Sequence, residues 1–102
     1  MDMEERYSLI ISSILNAIGF RTEVEHMLST ARIDILCITP HYTYVIELKL
    51  SKNGGVAAAE KQIKDNQYLE PFKADKTRQV VGLAIELEDL GKGLLEWKRV
   101  EK

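Results

Sequence analysis

The sequence predicts one small α/β domain, of the α+β type, with elements in the order α-β-β-β-α-β-β. Three observations predict it: an opening apolar pattern at helical spacing, two β-branched strands around a short break, and an alanine-rich helix after a glycine pair. The chain has 102 residues, of which 45% are hydrophobic and 29% charged, so it is long enough to bury its own core. We therefore expect residues 1–102 to form a single domain.

The first helix is predicted to end before Gly19, because glycine is common just after helix C-termini. A strand follows from residues 20 to 28, where apolar and charged side chains alternate. Ser29, Thr30 and Ala31 then form a short turn. The apolar stripe that should bury the helix consists of Met3, Tyr7, Ile10, Ile11, Ile14 and Ile18.

The next two strands form a predicted hairpin. Residues 33–39 and 43–50 are β-branched and apolar, and Pro40, His41 and Tyr42 interrupt them. If the loop holds residues 40–43, Thr39 lies opposite Tyr44. The remaining elements are a helix from Val56 to about Leu69, a buried strand from Gln79 to Leu87, a turn at residues 91–93 and a last strand from Leu94 to Val100.

The charged residues of this hairpin are Asp34, Glu47 and Lys49. Glu47 and Lys49 share a face because strand side chains alternate, and the predicted register brings Asp34 opposite Lys49 and diagonal to Glu47. Charged groups on the apolar side of a sheet require a partner. The spacing leaves two interpretations open: an Asp34–Lys49 salt bridge, or two carboxylates that hold one hard divalent cation, Mg²⁺ or Mn²⁺.

The segment RIDILCITPHYTYVIELKL resembles the PD-(D/E)XK nuclease superfamily, with Asp34 as the aspartate and residues 47–49 as the (D/E)-X-K. Nearly the whole chain, from EERYSLIISSILNAIGF through AAAEKQIKDNQYLEPF to LLEWKRV, is similar to the nuclease-like domain found C-terminal to predicted AAA-type ATPases. The resemblance implies a restriction-endonuclease-like αβββαβ core with a mixed central sheet flanked by helices. The sequence departs from it at Ile33, in place of the name-giving proline, at Ala31, in place of a glycine, and at Asn66, in place of a basic residue.

The resemblance also implies roles for site residues. Asp34, Glu47 and the backbone carbonyl of Leu48 would bind Mg²⁺ or Mn²⁺, while Lys49 would orient or activate water and stabilise charge on the phosphate. Gln62 matches a glutamine on the next helix of the family, which implies contact with substrate or with the metal's water; the alternative is an ordinary exposed residue.

Two acids of the first helix are further candidates. Glu5 matches the position where many relatives carry an additional acid that would join the metal, and Glu4 is equally available. The alternative is that both acids complement the helix dipole.

The activity that the resemblance implies is metal-dependent hydrolysis of phosphodiester bonds in nucleic acid, with DNA favoured. The alternative is an inactive nuclease-fold module that binds a partner or regulates an associated ATPase. An AAA-type ATPase module and a second copy of the chain are the expected protein partners, the latter because such domains often cut two strands as pairs.

Charge and composition limit the other partners. The net charge of −2 argues against a basic, nonspecific nucleic-acid coat. Residues 48–78 carry seven basic side chains against four acids, which fits a solvated helix face as well as a phosphate-binding surface. The sole cysteine, Cys37, excludes a disulfide framework and is expected to be buried. No membrane-spanning segment or signal peptide is apparent, so we expect a cytoplasmic protein with no membrane partner.

Overall fold

The computed structural model describes residues 2–29 and 31–101, so Thr30 of the predicted turn lies outside the described residues. Within these ranges two α-helices and five strands occur in the predicted order. The helices are α1 (Met3–Ala17) and α2 (Gly55–Asp65), and two short 3-10 helices lie at Ser51–Asn53 and Glu70–Phe72. The strands are β1 (Arg21–Met27), β2 (Arg32–Ile38), β3 (Tyr42–Leu50), β4 (Gln79–Leu87) and β5 (Leu94–Val100).

The five strands form one mixed sheet in the order β1-β2-β3-β4-β5. Only β3 and β4 are parallel, and the other neighbours are antiparallel. The chain between the parallel strands contains α2, because parallel neighbours need a crossover long enough to bring the chain back to the same end of the sheet. The mixed sheet flanked by helices is therefore confirmed.

Each face of the sheet buries an apolar core, which explains why the central strands are apolar almost throughout. Towards α1 the buried residues are Tyr7, Ile35, Cys37, Ile46, Leu48, Leu50, Ile85 and Leu87. Towards α2 they are Ile33, Leu36, Val45, Ala59, Ile63, Tyr68, Leu69, Ala84 and Val100. The burial of the Cys37 thiol agrees with the prediction.

Helix α1 packs on the sheet with only part of the predicted stripe, since Met3, Tyr7 and Ile11 lie in or against the core. Its buried residues are Tyr7, Ser8 and Ser12, whereas three members of the predicted stripe, Ile10, Ile14 and Ile18, are 57%, 57% and 63% exposed. The Tyr7 hydroxyl accepts a hydrogen bond from the backbone N–H of Gly93 at 2.9 Å and so orients the helix. The two small serines let it lie close to the strands. Within the described ranges neither helix is long and apolar enough to cross a membrane.

The β2–β3 hairpin is tighter than predicted. The Thr39 N–H donates to the carbonyl of Tyr42 at 2.9 Å, and the Tyr42 N–H donates to the Thr39 hydroxyl at 3.1 Å, so that the turn holds only residues 40–41. The predicted pairing of Thr39 with Tyr44 is therefore wrong by two residues. Because the shift is even, every side chain keeps its predicted face.

Helix α2 ends at Asp65 rather than near Leu69. Gln67 takes a left-handed conformation, with φ of 52°, which a continued helix does not allow. The reversal places Tyr68, which is fully buried, in the core beneath the helix. Burial of this large ring therefore outweighs the helix propensity of the residues that follow Asp65.

Candidate metal centre

The predicted site lies where β2 and β3 stop pairing. Their ladder ends at Ile35 and Ile46, and the next inward N–H of β3, that of Leu48, donates to Oδ2 of Asp34 at 2.8 Å. A side-chain carboxylate thus replaces the backbone carbonyl that a continued ladder would supply. Extension of the observed register sets Asp34 across from Glu47, not across from Lys49 as predicted. We call this point the fork between β2 and β3.

Glu4 plays the same part as Asp34 two residues further along β3. The N–H of Leu50 donates to Oε2 of Glu4 at 2.9 Å, and the side-chain amide of Asn53 donates to the same atom at 3.1 Å. Because alternate N–H groups of a strand point to the same side, Asp34 and Glu4 accept from successive groups on one edge of β3. Of the two acids considered on α1, Glu4 therefore faces the fork, while Glu5 is exposed.

Glu47 is the most deeply buried charged residue of the site. Glu47 is 2% exposed, and its Oε1 atom is buried without a hydrogen-bond partner among the described residues. Burial, and then the charge of Asp34, raise the pKa of Glu47 to about 9, although the Lys49 ammonium favours the charged form.

The pKa of Asp34 is also raised, chiefly by burial and further by the charge of Glu4, while the Leu48 N–H opposes the rise. A protonated Glu47 can donate to Asp34, which favours a charged Asp34 and a neutral Glu47. Two adjacent carboxylates in a water-poor position cannot both ionise at low cost. The pair therefore requires either a proton or a cation.

Lys49 is half-buried, and its ammonium favours the charged forms of Asp34 and Glu47. Among residues 2–29 and 31–101, however, it forms no ion pair. The Asp34–Lys49 salt bridge that the sequence left open is therefore not formed. The two-residue shift of the hairpin explains this, because it moves Asp34 from Lys49 to Glu47.

A cleft of about 250 Å³ opens beside the fork, between α1 and strands β1 and β2. The β1–β2 pairing is interrupted at Glu25, between the pairs of Val24 with Ile35 and of His26 with Ile33. The φ of Glu25 is 53°, which is unusual for a residue other than glycine, and its carboxylate pairs with Arg32 at 3.1 Å. Sequence reasoning missed Glu25 and Arg32 as cleft residues. The shared parity of Arg32 and Asp34 was the available signal. The lining residues are Asp2, Glu4, Glu5, Ser8, Leu9, Val24, Glu25, Arg32 and Asp34.

Gln62 is engaged elsewhere. Its Nε2 donates to the hydroxyl of the buried Tyr68 at 3.0 Å, and Asn66 approaches the same hydroxyl at 3.4 Å. The hydrogen bonds of the described residues do not join Gln62 to the carboxylates. The catalytic role of Gln62 stays a prediction, and its partner Tyr68 is a core residue.

The donor set fits a hard divalent cation. Carboxylate oxygens are the ligands that Mg²⁺ and Mn²⁺ prefer, and Oε1 of Glu47 is an unsatisfied oxygen beside a second acid. In the part of the chain that the structure describes, no group of three or more His, Cys, Asp and Glu side chains is arranged to hold a metal. The chain thus offers two carboxylates, which is sufficient for Mg²⁺ when water or a substrate phosphate supplies the other ligands.

A search against protein-family sequence models matches residues 2–96 to the PD-(D/E)XK nuclease superfamily. No curated protein and no solved structure matches the chain. Nucleases of this superfamily generally use divalent metal ions, which agrees with the carboxylate pair at the fork. The match covers both helices and the first four strands, and the observed order of elements is that of the family core. The chain therefore belongs to the PD-(D/E)XK nuclease superfamily.

Proposed function

We propose that this chain is a metal-dependent nuclease that hydrolyses the phosphodiester bonds of nucleic acid, with DNA as its substrate. The observation that carries the proposal is the pair formed by Asp34 and Glu47, which lies beside Lys49 and leaves one buried carboxylate oxygen without a partner. Two adjacent acids are an expensive way to fill a sheet interior, because apolar residues of similar size cost less. A cation held between the two carboxylates would offset this cost.

In this proposal Asp34, Glu47 and the carbonyl of Leu48 hold Mg²⁺ or Mn²⁺, which supplies an acidified water and neutralises phosphate charge when bound. The Leu48 N–H holds Oδ2 of Asp34, and in this proposal the other oxygen binds the ion. Lys49 is not tied to an acid of the described chain and can orient water and meet negative charge that develops on the phosphate. Glu4 positions α1 against the fork through its bond to Leu50.

Residues 48–78, which carry the excess of basic side chains, contribute less to phosphate binding than their composition suggests. Of its seven basic residues, four form ion pairs with neighbouring acids: Lys61, Lys64, Lys73 and Arg78. Pairing of this kind favours the solvated helix face over a phosphate-binding surface. The counter-charge for the substrate would then come mainly from the bound ion and from Lys49.

The second candidate is an inactive nuclease-fold module that binds a partner or regulates an associated AAA-type ATPase. The cleft beside the fork favours it, since five of the residues that line the cleft are acids and Arg32 is the only base among them. An acidic cleft without bound cations repels a polyanion.

The test combines cleavage with a binding measurement. Linear, circular and single-stranded DNA, and RNA, are incubated with the purified chain in Mg²⁺, Mn²⁺ or a chelator. We expect cleavage that needs the metal and disappears in Asp34→Asn and Glu47→Gln. Glu70→Gln, an exposed glutamate on the surface, is the matched control and should cleave like the wild type.

Titration calorimetry with Mn²⁺ separates the two candidates. Wild type and Lys49→Met should bind Mn²⁺, and Glu47→Gln should not. Metal binding with no cleavage of any substrate favours the inactive module. Cleavage that survives Glu47→Gln unchanged would show that the activity belongs to a contaminating nuclease. Equal Mn²⁺ binding by the wild type and Glu47→Gln would contradict the assignment of Glu47 as a metal ligand.

A further inference from the structure

Strand β5 forms one edge of the sheet and is exposed along almost its whole length. Six of its seven residues are exposed, and only Val100 is buried. Leu94, Leu95 and Trp97 are 54%, 57% and 61% exposed. Since β5 pairs with β4 on one side only, its other side presents backbone N–H and C=O groups that can pair with another strand.

The opposite edge is guarded against such pairing. Strand β1 carries Arg21, Glu23 and Glu25 on one face, and the left-handed conformation of Glu25 interrupts a regular edge. The register of β5 with β4 shifts between Leu94 and Glu96, but from Glu96 to Val100 the strand pairs without interruption and contains neither a proline nor a left-handed residue. The two edges therefore differ, and β5 is the one suited to strand addition.

We propose that β5 pairs with β5 of a second copy of this chain, antiparallel about a two-fold axis at Trp97, so that the two sheets join edge to edge. A two-fold axis perpendicular to the sheet requires facing residues to lie on the same side, so the centre must fall on a residue. Centred on Trp97, the pairing sets Glu96 opposite Lys98 of the second copy, within the part of β5 that pairs regularly with β4. By symmetry each charge pair occurs twice.

The neighbouring symmetric registers are disfavoured. Centring on Glu96 sets two glutamates directly opposite each other, and centring on Lys98 does the same with two lysines, both of which are destabilising. The Trp97 register compensates both charges. It also brings the two exposed indole rings together and places Arg99 diagonal to the opposing Trp97, where a cation–π contact is possible.

The charges of a single copy also favour this contact. Glu96 lies across from Glu86 in the β4–β5 register, which is an unfavourable like-charge pair, and it forms no ion pair among the described residues. Lys98 is held on the same face by Glu60 at 3.0 Å. A second copy would supply on the free side of Glu96 the cation that its own sheet lacks.

The experiment measures the oligomeric state of the purified chain by sedimentation equilibrium across a dilution series. We expect a reversible dimer. Glu96→Lys and Lys98→Glu should each weaken it by at least about tenfold, because each creates two facing like charges, and the double variant should recover the wild-type dissociation constant. Leu90→Lys is the control, since Leu90 is 74% exposed but lies outside β5. Circular dichroism verifies that each variant is folded.

A cysteine at the axis gives an independent measurement. Trp97→Cys sets two thiols across from each other at a spacing that a disulfide can span, so mild oxidation should link the copies, whereas Leu90→Cys should not. The native Cys37 is buried and adds little background. A chain that stays monomeric throughout overturns the proposal. A dimer that resists both charge variants overturns it too, because its interface must lie elsewhere.

Discussion

Replacement of Glu47 by glutamine is expected to stabilise the metal-free protein at neutral pH, although it removes a proposed metal ligand. The pKa of Glu47 rises from an ordinary value of 4.5 to about 9 on folding, first because the side chain is buried and second because Asp34 is charged. Below pH 4.5 the carboxyl group is protonated in both the folded and the unfolded chain, so it costs nothing. Stability is then lost as the pH rises from 4.5 towards 9, since only the unfolded chain ionises freely.

At pH 7 this loss amounts to about 3 kcal/mol, at about 1.4 kcal/mol for each pH unit above the ordinary pKa. A glutamine at the same place carries no such cost. Its amide still needs hydrogen-bond partners in a buried position, which takes back about 1 kcal/mol. The net gain of about 2 kcal/mol corresponds to a rise in Tm of roughly 10 °C for a domain of this size.

Urea denaturation in the presence of a chelator, between pH 4 and pH 9, measures the effect. The free energy of unfolding of the wild type should fall with pH, that of Glu47→Gln should change less, and the two should converge near pH 4. Equal stability at pH 7, or a difference that persists at pH 4, would refute the reasoning.

Glu86→Gln provides a control of opposite sign on the same sheet. The Glu86 carboxylate accepts hydrogen bonds from the Ser51 hydroxyl and the Val56 N–H, and these lower its pKa. Its contribution to stability is therefore present above pH 4.5 and is lost as the pH falls through the lowered pKa. Glu86→Gln should be less stable than the wild type at pH 7, where Glu47→Gln is more stable.

Three further substitutions test other parts of the structure. Lys49→Met should keep its affinity for Mn²⁺ in calorimetry but lose about 100-fold or more in cleavage rate, and an unchanged rate would contradict the role of the ammonium. Gly55→Ala should cost about 1 to 2 kcal/mol in urea denaturation, because φ is 62° and the added Cβ would overlap Oε1 of Glu86; unaltered stability would contradict this. Gln62→Ala should lower the free energy of unfolding by about 1 kcal/mol, because the Tyr68 hydroxyl loses its hydrogen bond, and adding Tyr68→Phe should restore most of this stability. Loss of cleavage without loss of stability in Gln62→Ala would instead indicate a substrate contact.

The order of helices and strands followed from local patterns, but the face of α1 did so only in part. Apolar residues occur on several sides of this helix, so periodicity favoured the stripe through Ile10 and Ile14. The structure instead buries Ser8 and Ser12, because small side chains let the helix approach the sheet and Tyr7 anchors it to the β4–β5 turn. Such a choice depends on the surface that receives the helix, which a local pattern does not contain.

The site was predictable to the extent that strand alternation fixes it. Glu47 and Lys49 share a face in any register, and Asp34 joined them because the error in the hairpin was even. The Asp34–Lys49 salt bridge, one of the two interpretations that the spacing left open, is not formed, because it required one particular register. The sequence offered both Glu4 and Glu5 as candidates but did not decide between them, because the choice depends on where the β2–β3 ladder ends.

The fork also explains how the sheet tolerates an acidic pair in its interior. Strand β3 keeps its parallel pairing with β4 through Leu50, so it stays in place when β2 leaves it. The two N–H groups released on the β2 side are then satisfied by the carboxylates of Asp34 and Glu4, which avoids the cost of leaving buried donors unpaired. Asp34 is therefore a structural acceptor and a proposed ligand at once, and the N–H that it satisfies holds it beside Glu47. Because the remaining charge of the pair is unfavourable without a cation, the metal ion that we propose would stabilise the fold through the same two side chains that bind it.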